Sequence, residues 1–271
     1  GRRRPPGLPA GAPPGRRRRG RLRAVRQRGV AGQAREGVAR AEQARQDGER
    51  LPRPRFVEDH PGPRGAHEGR HGELVRQQLA ALLGGTKPHP TLLLKDGPEA
   101  PTRSINFSPE PGIRLSASET LGQGPRKKGR VIFLSLAGEV KLAVNKLATA
   151  VQQSGRTVVS LSLRATGQHA YARDAIRRAP DHNTAEWSLW LGQPLLGQWV
   201  RDLRTLLDQL GTEPVTVIGD GPAGVVALCA AALDERIAHT VTIGSLASYI
   251  SDVPYTNQRL GLMAPNMLRE A

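Results

Sequence analysis

Apolar positions recur with two different periods along this chain, and neither period begins before residue 73. Over residues 73–83 (ELVRQQLAALL) they fall three and four apart, the spacing of one helix face, until Gly84-Gly85 ends the run. Two short alternating segments, 104–107 and 113–117, flank Pro109-Glu-Pro-Gly112 and predict a pair of strands around a turn. From residue 131 the pattern becomes regular. VIFLSL (131–136), TVVSLSL (157–163), PVTVIG (214–219) and HTVTIGSL (239–246) are short apolar runs, each long enough for a strand. Residues 139–153, 187–210 (broken near Gly192-Gln-Pro194) and 223–233 lie between or beside them and read as helices. Strands that alternate with helices and are apolar throughout predict a parallel sheet covered on both faces. Right-handed crossovers make such a sheet doubly wound, so the expected fold class is α/β.

The first 72 residues show neither period. GRRRPPGLPAGAPPGRRRRGRLR cannot bury enough surface to offset its ordering entropy, and residues 1–72 are expected to be a disordered, basic, low-complexity segment. Residues 73–104 then form a helix and linker, and residues 105–271 the folded domain. The formal charge of +16 belongs to the first half alone. Residues 1–130 hold 28 Lys+Arg against 12 Asp+Glu, whereas residues 131–271 hold 12 of each. Residues 1–55 are therefore expected to bind nucleic acid weakly and without sequence preference. Only Phe56 supplies an aromatic ring in the first 100 residues, which leaves little for base stacking. A solvated tail without a partner fits as well, and so does GC-rich DNA translated out of frame.

His67-Glu68-Gly69-Arg70-His71 matches H-E-x-x-H, which on a helix would turn two imidazoles toward one zinc ion. Gly69 and Gly72 weigh against that helix, at about 1 kcal/mol each. Leu74 also stands where the longer zinc-protease motif needs glycine. No metal site is expected here. Cys229 is the single cysteine, which excludes an intrachain disulfide, and its run of alanines predicts a buried structural thiol. No run of about 18 apolar residues exists to span a membrane. The Arg-rich opening lacks an apolar core and reads as carrying no signal peptide, and the compartment is left open.

The candidate chemistry lies in VTVIGDGPAGVVALCAAAL (215–233), a strand, a glycine turn and a helix. Gly219, Gly221 and Gly224 fit G-x-G-x-x-G, so an FAD- or NAD-binding Rossmann domain is one alternative. That fold needs a ribose-binding carboxylate about 20 residues on, at the end of the next strand. Ile243-Gly244-Ser245 stands there instead, and 47 residues after Gly224 leave little room for a flavin domain. The other alternative is a nucleophile elbow, G-x-S-x-G, built on the same strand–turn–helix.

Several blocks in series favour the elbow. From about residue 105 the chain resembles α/β-hydrolases of the acetyl xylan esterase-like and prolyl-oligopeptidase-like bacterial type. The blocks are Phe107-Ser-Pro-Glu-Pro-Gly-Ile-Arg114, VVSLSLRATGQ (158–168, keeping Arg164 and Gly167 of a D-x-R-G-x-G turn), residues 189–198, the elbow stretch, and VTIGSLASY (241–249). The resemblance implies an incomplete α/β-hydrolase domain with a doubly wound, mostly parallel sheet, and relation to carboxylic-ester hydrolases. A carbohydrate ester or other small ester would be the ligand, with a companion hydrolase domain as partner.

Residue by residue, the chemistry of that family is missing. The elbow falls on Gly219, Asp220, Gly221, Pro222 and Ala223, so glycine occupies the serine position. The oxyanion loop, usually His-Gly in the resembled family, falls on Ser135 and Leu136, and the family's turn aspartate on Ser162. The triad's acid and base follow the serine in chain order. Asp252 and His239 are poor stand-ins, His169 and His182 come before the elbow, and the remaining strands would lie past Ala271. The expectation is a hydrolase-fold domain that is non-catalytic as written, with no catalytic, cofactor or metal residues. The alternative is a fragment of an active multidomain hydrolase.

Overall fold

The structure is a computed structural model that describes residues 66–88, 94–95, 102–125, 129–141, 145–250 and 259–266. Residues 1–65, with nearly all of the segment expected to be disordered and to bind nucleic acid, lie outside them, as does Asp252. The described residues hold seven strands: β1 (Leu94–Lys95), β2 (Thr102–Glu110), β3 (Ile113–Thr120), β4 (Arg130–Ser135), β5 (Thr157–Leu161), β6 (Val215–Asp220) and β7 (Ile237–Ile243). Five helices accompany them: α1 (Ala66–Leu83), α2 (Lys146–Gln153), α3 (His182–Trp190), α4 (Leu195–Leu210) and α5 (Ala223–Leu233).

One mixed sheet results, ordered β1-β2-β3-β5-β4-β6-β7. Its first three strands are antiparallel, and β5, β4, β6 and β7 run parallel. The expected doubly wound α/β sheet forms as a mixed sheet, with its parallel strands together on one side. The chain steps from β4 to β5 on one side, then returns to place β6 on the other. β4 is therefore the topological switch point, the position beside which ligands bind in sheets of this kind.

Side-chain alternation decides which helices cover which face. Ile132, Leu134, Val159, Leu161 and Val217 face a core filled by Leu196, Trp199, Leu203 and Leu206 of α4 and Val226 and Ala230 of α5. Val131, Phe133, Val158 and Ile218 point the other way, against Ala148 and Val151 of α2. Each fully buried leucine contributes about 1.5–3 kcal/mol, so α4, with five of them (Leu195, Leu196, Leu203, Leu206 and Leu207), anchors the domain. Gly197 sets how closely α4 meets α1, because a Cβ there would lie 1.7 Å from the Leu83 carbonyl oxygen.

Three expectations are corrected. First, α1 begins at Ala66 rather than residue 73, so H-E-x-x-H lies on a helix despite Gly69. The glycine penalty is small beside the contacts that hold the helix at its far end, where Leu83 is fully buried. The side chains of residues 66–71 are outside the described set. Second, the helix expected over 139–153 starts at Lys146, because the Asn145 side chain caps it by accepting from the Ala148 N–H at 2.9 Å. Third, β7 is not covered on both faces. It is an edge strand with exposed Val241 and Ile243, whose apolar run looked like that of a central strand.

Residues 259–266 fold back onto the domain. The Asp181 carboxylate accepts from the Leu260 and Gly261 N–H groups at 3.1 and 2.9 Å. The Tyr249 hydroxyl donates to the Leu262 carbonyl at 2.8 Å. Among the described residues no helix is long and apolar enough to cross a membrane.

Candidate functional site

The turn after β6 has the geometry of an elbow. Gly221 sits at φ +56°, a left-handed conformation, and its N–H donates to the Ile243 carbonyl of the neighbouring strand at 2.7 Å. Glycine is required on either side for a steric reason. A Cβ on Gly219 would lie 2.5 Å from the Gly224 Cα, and one on Gly224 would lie 2.4 Å from the Ser245 Oγ. Strand, helix and the end of β7 nearly touch here. At Gly221 a Cβ would meet nothing within 4 Å. The turn thus presents one residue to open space at the carboxyl edge of the sheet, and that residue has no side chain.

An elbow also supplies an oxyanion donor, the N–H of the residue after the nucleophile. That residue is Pro222, which has no N–H. The second donor should come from the loop after β4, where Ser135 pairs in register with Asp220. There the Ala137 N–H is held by the Ser135 Oγ at 3.2 Å and the Gly138 N–H by the Ser135 carbonyl at 3.3 Å. Arg259 reaches the same loop and donates to the Leu136 carbonyl at 2.7 Å. Leu136 itself is buried. Substitution of proline after the elbow was plain in the sequence as G-D-G-P-A, yet reading only the serine position overlooks it.

The same hydrogen bonds weigh against a pyrophosphate cradle, which needs free N–H groups at the helix N-terminus. Gly221 donates to Ile243, Pro222 has nothing to donate, and Gly224 and Val225 donate to the Gly221 and Pro222 carbonyls at 3.1 and 3.3 Å. Asp220 is exposed beside this helix end, where its charge repels phosphate. Ala223, the last elbow position, is buried under the turn.

The other candidate residues do not converge on Gly221. His239 is the third residue of β7 and pairs with Thr216, near the amino end of β6 and away from the elbow. It lines a separate cavity of about 270 Å³ with Arg130, Arg156 and Glu213. His182 opens α3 and has Glu186 3.7 Å away, one turn on. His169 lies in a short 3₁₀ turn, Gly167–His169, after β5. Ser162 is buried, and its N–H donates to the Ser116 carbonyl at 3.2 Å. Cys229 is buried as expected, and burial pushes its thiol up to about 11, so it stays protonated and inert. Among the described residues no group of three metal-ligating side chains forms.

Arg164, read in the sequence as part of a turn motif, instead anchors a buried charge cluster. Asp202 of α4, with no exposed surface, accepts from the Arg164 Nε at 2.9 Å, from its Nη2 at 2.5 Å and from its backbone N–H at 3.1 Å. Glu110, at the end of β2, bridges Arg164 and Arg201. Arg164 also donates to the Gln198 Oε1 at 2.8 Å, and the Trp199 Nε1–H donates to the Arg164 carbonyl at 2.9 Å. Burial alone would lower the guanidinium of Arg164, but Asp202 and Glu110 outweigh it and raise it above its usual value. Burial pushes the Asp202 carboxyl up against the pull of Arg164. One signal in the sequence pointed here: Asp202 falls within the apolar stripe of α4, three residues after Trp199.

No protein-family model and no curated protein matches the chain. Solved structures do. A Bacteroides fragilis protein assigned to the acetyl xylan esterases is 14% identical, with a TM-score of 0.49, over 76% of this chain and 59% of that one. Acetyl xylan esterase 1 from Thermoanaerobacterium is 15% identical, with a TM-score of 0.41, over 61% and 55%. An α/β hydrolase from Novosphingobium aromaticivorans is 26% identical, with a TM-score of 0.37, over 54% and 45%. The chain thus spans about half the length of the structures it is similar to. They are esterases and α/β hydrolases, the superfamily that the sequence resembles.

Proposed function

We propose that this chain is an α/β-hydrolase-fold domain related to carboxylic-ester hydrolases of the acetyl xylan esterase-like kind, and that it does not catalyse acyl transfer. One observation carries the reading: a complete elbow turn at the sheet's carboxyl edge ends in Gly221-Pro222. This pair lacks both the nucleophilic oxygen and the adjacent oxyanion donor. Removing one oxyanion donor alone costs about 10²–10³ in kcat where such sites are active. Triad members act as a unit, so restoring one recovers little. Gly221→Ser, and Gly221→Ser combined with Pro222→Ala, are assayed on a chromogenic acetate ester beside wild-type and heat-killed protein. None is expected to exceed the heat-killed control. Turnover in either variant would reveal a working base and acid and overturn the reading.

A second reading, a domain that works beside a competent hydrolase domain, is favoured by the exposed apolar edge of β7 at Val241 and Ile243. A carbohydrate-ester ligand has its support in Trp187 and Trp190 of α3, 57% and 73% exposed, whose ring faces suit stacking on sugar rings. Residues 1–55 are proposed to bind nucleic acid weakly through their arginines. Such binding falls steeply with salt and disappears when that segment is deleted.

A further inference from the structure

Helix α3 turns its most apolar side to solvent. Asp181, Ala185 and Ser188 on one side are buried, whereas Trp187, Trp190 and Leu191 on the opposite side are exposed. Leu191, at 78%, is the most exposed large apolar side chain among the described residues. The loop before the helix continues this surface. Asn183 lies one turn before Trp187 on the same side, and its Nδ2 donates to the Arg173 carbonyl at 3.1 Å. Buried Asp174 accepts from the Thr184 N–H at 2.7 Å and from the Thr184 hydroxyl at 2.8 Å. The loop is thus fastened to the start of α3, and it carries exposed Tyr171 and Ile176. Ile176 and Ala179 exchange backbone hydrogen bonds at 3.0 and 3.1 Å, which closes a tight turn with Arg177 and Arg178 at its tip.

The charges on this surface are mostly of one sign. Arg173, Arg177 and Arg178 are exposed and form no ion pair among the described residues. Two neighbouring acids are buried and already bonded, Asp174 to Thr184 and Asp181 to the Leu260 and Gly261 N–H groups. Glu186 alone opposes the arginines, and it lies 3.7 Å from His182. From this geometry we infer that α3 and the loop before it dock on an anionic lipid surface, with Trp187, Trp190 and Leu191 entering the headgroup boundary and the three arginines held at its phosphates. Exposed apolar patches mark contacts with proteins or membranes, and the chemistry here selects the membrane. Tryptophan and tyrosine gather at lipid interfaces because their rings are apolar while their N–H and O–H groups stay wet. Stacking on a sugar would use the two indoles but leave Leu191 and Ile176 in water. A second copy of this chain on the same face would bring two sets of unpaired arginines into one interface. An anionic surface accepts from every guanidinium while the apolar side chains leave water.

The test mixes the full chain with vesicles of phosphatidylcholine and phosphatidylserine in equal parts, and with vesicles of phosphatidylcholine alone. Tryptophan emission is the readout, because Trp199 is already fully buried and any shift reports Trp187 and Trp190. A blue shift, with quenching by lipids brominated on their acyl chains, is expected on the mixed vesicles and not on phosphatidylcholine at the same lipid concentration. Arg173→Gln, Arg177→Gln and Arg178→Gln combined should raise the lipid concentration at half-shift about 100-fold, roughly fivefold for each arginine. The unfolding midpoint of that variant should stay at the wild-type value, since the three side chains are exposed. Vesicles held by the basic segment at residues 1–55 would sediment the protein without shifting its emission, and that result would overturn the inference. So would an equal half-shift concentration in the variant and wild type. Saturable quenching of the same indoles by an acetylated xylo-oligosaccharide, with no response to vesicles, would overturn it in favour of sugar stacking.

Discussion

The elbow at Gly221 and the charge cluster under α4 are opposite cases of one economy. At the elbow the backbone keeps a demanding shape, with a left-handed turn and glycines at 219 and 224 where strand and helix nearly touch, while the reactive groups are gone. In the cluster Arg164, Asp202, Glu110 and Arg201 are bonded to one another or to Gly85, and all but the partly exposed Glu110 are buried. Under the reading proposed above, the turn and the cluster both serve structure.

Removing Asp202 should give the largest effect, since it leaves the Arg164 Nε, Nη2 and backbone N–H buried without a partner, with only Nη1 still held by Glu110 and Gln198. Asp202→Ala is expected to destabilise the domain by about 3–5 kcal/mol in urea denaturation. A loss under about 1 kcal/mol would mean that water reaches Arg164, and the contrast with the elbow would fail.

The elbow glycines sharpen the comparison next. Gly219→Ala drives a methyl into the Gly224 backbone and should cost about 1–3 kcal/mol, as overpacking does. Gly221→Ala adds a methyl in open space and should cost about 1–2 kcal/mol, from the left-handed backbone alone. Equal structural damage from both, seen as matching losses of near-ultraviolet circular dichroism, would mean that Gly221 too is sterically required.

A third polar group, more solvated, calibrates how much burial matters. Burial pushes the Asp234 carboxyl up, but hydrogen bonds from Arg236 and Arg204 outweigh it and hold it below the usual range. A carboxyl depressed in the folded state stabilises above its unfolded value, about 3.9, and loses that contribution as pH falls through the folded value. Wild type should therefore lose more stability than Asp234→Asn on acidification below about pH 4, by no more than about 1 kcal/mol. A parallel pH profile in the two proteins would show that the pairing contributes nothing.

Much of the fold was legible because it is local. Residues 223–233 became α5 over that same span, the break near Gly192-Gln-Pro194 separates α3 from α4, and Gly112 turns the hairpin at φ +84°. The missing serine at Gly221 and the missing N–H at Pro222 are covalent facts, fixed by composition before any folding. Tertiary structure decided the rest. Arg164 and Asp202 are 38 residues apart, and Arg201 and Glu110 are 91 apart, so no periodicity could pair them. The apolar run of β7 reads alike whether the strand is central or at an edge, and only the sheet order places it at an edge with Val241 and Ile243 exposed. Sequence patterns determine what a segment can bury and which bonds its atoms can form. Which segments meet, and which polar groups are left facing one another or facing a cavity, is set by contacts distant in the chain.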